Sequence, residues 1–291
     1  MWEVDNICYR NENRFDRAFV GSELVWYPKD RGSNYISIET TGEYTDTTYG
    51  KLKKGVNIVQ QNSDRINFRN NTNVVSVDFL NYQTTTPLIL TMAFAFSKIR
   101  EFKADIANLE YVQSCENMFT SADELISAKF PDLPNCTSFN QMFYDAIGLE
   151  NVSLGNTPNV TNTNSMFNGC VSLTEAPYFD MSKVIDADYM FYACSFLRKI
   201  PKYNISSLKP SSRMFEMAYS IVELEGLVGL KYSMNFSASE HITRESVMNI
   251  VREADEPSDE NGQLHFSQTV IDRLTVEDIS YATSKGWIIS A

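Results

Sequence analysis

Apolar positions in the middle of this chain recur every 24 residues, a period that matches neither a single helix nor a single strand. The clearest markers are five Met-Phe pairs, Met118-Phe119, Met142-Phe143, Met166-Phe167, Met190-Phe191 and Met214-Phe215. Four positions after each Met comes a small residue: Ala122, Ala146, Cys170, Cys194 and Ala218. Seven positions after it come Leu125, Leu149, Leu173, Leu197 and Ile221. Ala128, Val152, Ala176, Ile200 and Leu224 follow, and then Phe130, Leu154 and Tyr178, a column that decays to Lys202 and Gly226. Ahead of the pairs stand Val112, Cys136, Val160, Val184 and Leu208.

Each unit therefore reads Leu-x-x-aliphatic-x-apolar, with alternating apolar residues of a short strand pointing inward. A unit this small cannot bury its own apolar face, so neighbours must stack at a strand spacing of roughly 4.8 Å and share one core. Met and Phe at a fixed period are read as ladders in that core, and not as a ligand or cofactor box. The expected fold class is a leucine-rich-repeat solenoid of 24-residue repeats, with short parallel strands and irregular loop returns. A β-rich N-terminal region and an α/β C-terminal cap would cover its ends.

Three regions follow: a β-rich docking or cap region over 1–91, the repeats over 92–226, and the C-terminal cap over 227–291. In the first, Gly21-Ser22 between two apolar runs predicts a hairpin, and further strand-like runs lie over 31–90. Met92 and Ile99-x-x-Phe102-x-Ala104 form a degenerate first unit with two inserted residues. In the last region Thr243 is placed to cap a helix over 244–254, with Val247, Ile250, Val251 and Ala254 on one face. Gln263 to Phe266 predicts a strand, Thr275-x-x-Asp278 a capping box, Gly286 the end of that second helix, and Trp287 to Ile289 a closing strand.

A net charge of -12 argues against nucleic acid or an anionic membrane surface as partner. No apolar run approaches the length of a membrane span, and the residues after Met1 do not form a basic-then-apolar export signal. Synthesis and folding in a cytoplasm are expected. The five cysteines include Cys8 and contain no Cys-x-x-Cys. Stacking would bring Cys170 and Cys194 within disulfide reach, but Ala fills the same column elsewhere, so buried free thiols are expected.

Candidate chemistry is sparse. His241 and His265 have no nucleophile or carboxylate at a supporting spacing, and neither a phosphate loop nor a nucleophile elbow is present. The acidic run Asp255 to Gly262 lacks the ligand spacing of an EF-hand and is read as a solvated turn. Asp186 and Asp188 look too isolated to act as an acid/base pair. The expectation is a protein without catalytic, metal or cofactor residues. What remains is surface: Ser127, Ser153, Glu175, Lys199 and Glu223 form one outward row, and Lys129, Ser153, Pro177, Pro201 and Glu225 form a second, with Ser153 at their boundary. These rows are the candidate binding surface.

Met166-Phe-Asn-Gly-Cys-Val-Ser-Leu173 and Met190-Phe-Tyr-Ala-Cys-Ser-Phe-Leu197 resemble the BspA-like leucine-rich repeats of bacterial surface proteins. That resemblance spans about half the chain and implies an adhesin that binds host or matrix proteins. The run from Phe19 to Trp26 is similar to a short β element near the start of many phage tail and virion proteins. The run from Leu274 to Trp287 resembles the end of repeat proteins encoded by phages and prophages of gut Bacteroidales. Together these resemblances imply a non-enzymatic, tail- or fibre-associated virion structural protein, assembled in the host cytoplasm. Its partners would be other virion proteins and a host-surface protein or glycan, and a homo-oligomer is compatible with the pattern. The alternative is a BspA-like adhesin at a bacterial cell surface.

Overall fold

The computed structural model describes residues 15–20, 23–28, 35–46, 48–60, 65–81, 88–104, 107–210, 213–258 and 262–291. Strands β1 (Phe15–Val20) and β2 (Glu23–Pro28) pair antiparallel with Val20 opposite Glu23, while the expected Gly21-Ser22 turn lies outside the described residues. Strand β3 (Tyr35–Thr40) is followed by a small hairpin of β4 (Tyr44–Asp46) and β5 (Gly50–Leu52), then by β6 (Gly55–Gln60) and β7 (Val74–Asn81). β3 lies between β6 and β7 and is antiparallel to both. At β7 the sheet changes character: β8 (Glu101–Lys103), β9 (Ser127–Lys129) and β10 (Asn151–Ser153) add one after another in parallel. The order is β10-β9-β8-β7-β3-β6, and one inward line of Ile38, Val77, Phe102 and Ala128 is fully buried.

Beyond β10 this sheet stops. The next unit contributes only an isolated bridge from Glu175 to Lys199. β11 (Lys199–Ile200) then pairs with β13 (Glu223–Leu224), and β12 (Tyr203–Asn204) pairs with β14 (Leu227–Val228). Proline explains the interruption, because Pro177 and Pro201 stand where β9 and β10 carry Lys129 and Ser153, and proline has no N–H to give a ladder. The inward column also moves by one residue. Phe130 points inward, whereas Tyr178 is 69% exposed and Phe179 and Tyr203 are buried in its place, their rings 5.8 Å apart. A one-residue shift in an extended segment exchanges its faces, and here the Tyr203 hydroxyl donates to the Pro177 carbonyl at 2.6 Å.

The fold class therefore differs from the leucine-rich-repeat solenoid with capped ends expected from the period. The described chain is β-rich, with mostly short strands divided among mixed sheets and only three helices. Proline accounts for part of the difference by removing ladder donors from the later units, and the Met-Phe segments between the strands, expected as irregular returns, add no strand pairing of their own. They are runs of turns. Asn117 and Ser121 flank Met118-Phe119 with φ of 54° and 51°, and Gln141 and Asp145, Ser165 and Gly169, and Tyr189 and Ala193 repeat the pair with positive φ. Alternate amides bond locally, as in Ala122 N to Phe119 O at 3.0 Å, or to the next unit, as in Phe119 N to Met142 O at 2.8 Å. Non-glycine residues in this region cost about 1–2 kcal/mol each, and the dense amide network holds them there.

Phenylalanine rings bind the units together. From Phe94 through Phe119, Phe143, Phe167 and Phe191 to Phe215, consecutive rings stack with centroids 5.2, 5.3, 5.4, 5.5 and 5.8 Å apart. The column runs past both ends of the regular repeat. Tyr49 and Phe68 extend it on one side, and Phe236 and Phe266 on the other, at spacings of 5.7, 5.6, 5.3 and 5.2 Å. The inward placement of the Met and Phe residues is direct, since all five Met and their partners are at most 1% exposed.

In the C-terminal part, β15 (Met234–Asn235), β16 (Gln263–His265) and β17 (Ile288–Ser290) form a parallel sheet. Helix α1 (Arg244–Glu253) begins at Thr243, whose Oγ1 accepts from Ser246 N, and buries Val247, Ile250 and Val251 as its period requires. A short α2 (Gln268–Ile271), absent from the sequence reading, precedes α3 (Val276–Ser284). The capping box between Thr275 and Asp278 is present. Asp278 also receives both Arg244 Nε and Nη2 at 2.6 Å, which ties the starts of α1 and α3 together. Lys285 Nζ donates to the carbonyls of Val251, Arg252 and Ala254 at 2.9, 2.9 and 2.7 Å, closing the C-terminal end of α1 with a cation.

Phe167→Ala will lower unfolding free energy by about 3–5 kcal/mol, whereas Phe196→Ala will stay within about 0.5 kcal/mol. Phe167 is fully buried and Phe196 is 63% exposed, so equal shifts in urea denaturation of the two variants would contradict this packing. The Arg244 guanidinium, helped by the Thr275 N–H, holds the Asp278 carboxyl down at about 2. Because an unfolded Asp titrates near ~3.9, this contribution is complete above about pH 4 and is lost as pH falls through about 2. Asp278→Asn will therefore melt lower than wild type at neutral pH, and thermal scans will show that gap closing between about pH 4 and 2.

Candidate functional site

Parallel pairing at a fixed offset decides which outward residues are neighbours. Ser127 lies beside Glu101 and Asn151, and Lys129 lies beside Lys103 and Ser153. The first row is thus Ser76, Glu101, Ser127 and Asn151, and the second is Asp78, Lys103, Lys129 and Ser153. Ser153 belongs to the second row alone. Asn151, one full period after Ser127, takes its place in the first. Glu101 and Lys103 were hidden by the inserted residues of the degenerate first unit.

Past the break the rows resume as a second patch. Lys199 lies between Glu175 and Glu223. Pro177 is buried and Pro201 half-buried, so neither adds a functional group to the surface. Glu225 is exposed, and its Oε2 accepts from the Lys202 amide at 3.4 Å. Thr174, Arg198 and Val222 join Glu175, Lys199 and Glu223 around a shallow groove of about 470 Å³. The backbone below it is well tied: Arg198 N donates to Thr174 O at 2.8 Å and Val222 N to Arg198 O at 2.9 Å. The Lys199 ammonium is 3.8 Å from Glu223 Oε2 with both side chains exposed. Such a pair contributes little to stability, so its partners can be exchanged for those of another molecule at small cost.

The other sequence candidates are dispersed. His241 is exposed, and His265 in β16 pairs Nδ1 with Ser290 Oγ at 3.0 Å. Part of the acidic turn, 259–261, lies outside the described residues; Asp255 contributes its carbonyl to Trp287 Nε1 at 2.9 Å. Asp186 and Asp188 are less isolated than they looked, because the bridge from Asn162 to Asp186 sets them beside Asn162 and Asn164 of the preceding unit. Among the described residues, no group of three or more His, Cys, Asp and Glu could hold a metal ion. No helix among them is long and apolar enough to cross a membrane.

Cys115, Cys136, Cys170 and Cys194 are free and buried, while Cys8 lies outside the described residues. The Cys170 and Cys194 thiols point away from disulfide formation, donating to the Phe143 and Phe167 carbonyls at 3.0 Å each. Burial pushes both thiols well up.

Stacked, phenylalanine-cored repeats carrying a variable outward surface define the class of this protein. The family described as "Mycoplasma protein of unknown function, DUF285" matches residues 66–152 and 113–224, together more than half of the chain, and the protein belongs to it. The two matches overlap and begin about two repeats apart, as a periodic chain allows. Membership is loosely consistent with the resemblance of the repeats to BspA-like ones and lends no support to a phage-tail relationship. No match is found among curated proteins or among solved structures.

Under native conditions Cys170 and Cys194 will alkylate with N-ethylmaleimide at least about a hundredfold more slowly than in denaturant, because the buried thiols react only on opening. Peptide mass mapping will detect this, and a Cys170–Cys194 disulfide peptide would contradict it.

Proposed function

We propose that the protein is a non-enzymatic binding and structural component, which uses the exposed rows of its stacked units to hold another macromolecule. The observation that carries this reading is the alignment of chemically varied side chains on a rigid, hydrogen-bonded backbone. Glu101, Ser127 and Asn151 stand in one stretch, and Glu175, Lys199 and Glu223 in the next. Core positions in the same units are uniform, so the variation falls on the face that solvent and partners meet. Alternating Glu, Lys and Glu suit a protein surface of mixed charge, and the net charge of -12 opposes a phosphate backbone.

On the first placement, the chain is a virion component. Its N-terminal strands dock it to the particle, and the rows contact a neighbouring virion protein or the host surface. The short resemblances of residues 19–26 and 274–287 support this placement. The second placement is the surface of a bacterium, as an adhesin. It is favoured by membership in a family described from Mycoplasma and by the BspA-like repeats.

Mass spectrometry of purified particles, paired with biotinylation of intact bacteria, separates the two. Fixed stoichiometry in particles supports the virion, labelling at the cell surface supports the adhesin, and absence from both overturns the proposal. A Glu175→Lys/Glu223→Lys variant will keep its melting temperature while losing about tenfold or more in particle incorporation or in adhesion, as charge reversal at a contact face does.

A further inference from the structure

A second groove, about half a repeat away along the chain, has a different chemistry. Its volume is about 520 Å³, within the ~300–1,000 Å³ typical of small-molecule sites. Two units build its floor. Asn164 Nδ2 donates to both Asp186 oxygens at 3.2 and 3.4 Å, and Asn162 Oδ1 accepts from Asn164 N at 2.9 Å. Asp186 Oδ1 also accepts from the Asp188 amide at 3.1 Å. Thr161 lines the same space, and its Oγ1 donates to the Thr137 carbonyl at 3.2 Å. These polar groups are oriented before any ligand arrives, which lowers the entropy cost of using them.

We propose that this groove binds an uncharged saccharide. The lining excludes the other ligand classes in turn. An anion would meet the carboxylates of Asp186 and Asp188. A cation would meet Lys209 at the rim, and Asp188 Oδ2 is already engaged by Arg213 Nη2 at 2.7 Å. An apolar ligand would leave the amides and carboxylates desolvated and unpaired. A neutral polyol suits what remains, since its hydroxyls donate to carboxylate and amide oxygens and accept from amide N–H groups and Lys209. Ile185, 41% exposed, and Pro210 supply an apolar margin for the C–H face of a sugar ring.

This site is separate from the outward rows, so either reading can fail alone. The test is saturation-transfer NMR on the full chain with glucose, galactose, mannose and N-acetylglucosamine as probes, and calcium chloride tested separately by calorimetry. At least one sugar will bind with affinity of roughly millimolar order, as a few hydrogen bonds on a small ligand allow. Asn164→Ala will weaken that binding by about tenfold or more, while Glu175→Lys will leave it unchanged. Should Asn164→Ala lower the melting temperature, Ile185→Asp, which alters only the exposed margin, serves in its place. Silence from every sugar, binding that survives both groove variants, or a response to calcium alone would each overturn the proposal.

Discussion

Face-to-face stacking of aromatic rings is the constraint on which this molecule depends. Each Phe fills the space above the ring of the unit before it, and parallel rings a little over 5 Å apart leave no room for water or for a change in register. A strand pair alone would allow the units to sit at about 4.8 Å. The ring centroids lie slightly farther apart, at 5.2 to 5.8 Å, as offset parallel stacking gives. The regular amides of the turns and the fixed ring spacing reinforce one another, so neither can be altered by itself.

The same column explains how unlike regions join. Phe68 and Phe94 carry it from the mixed sheet into the repeats, and Phe236 and Phe266 carry it into the helical end. The chain between those last rings is longer than a repeat because α1 is looped out between them, yet the rings keep their spacing. Packing geometry tolerates insertions in the return path and resists them in the column.

With the interior so constrained, variation is confined to the outward residues. Prolines divide that surface. Through β10 the sheet is continuous and its rows are straight; past it, where Pro177 and Pro201 withhold ladder donors, short bridges present Glu175, Lys199 and Glu223 as a separate patch over a groove. On another side of the units, Asn162, Asn164 and Asp186 hold one another in place through hydrogen bonds between adjacent repeats. Two surfaces of different chemistry thus arise from one period: one of exposed, weakly paired charges and one of oriented amides and carboxylates.

Much of the architecture was legible in residue order. The 24-residue period identified which side chains lie inside, because a repeated apolar residue in a small unit has no other place to go. Thr243, Thr275 and Asp278 announced their helices because capping is a local interaction among neighbouring residues. The fold class was not legible, since the period alone does not show where the strand ladder breaks, and the turns here rely on amides supplied by the next unit. The surface was legible only in part: the neighbours of Ser127, Glu101 and Asn151, are set by strand pairing, and the burial of Pro177 accompanies the one-residue face shift of the later units. The meeting of Asn164 with Asp186, 22 residues apart, was decided by stacking alone, because only the packed column brings one unit's amide over the next unit's carboxylate.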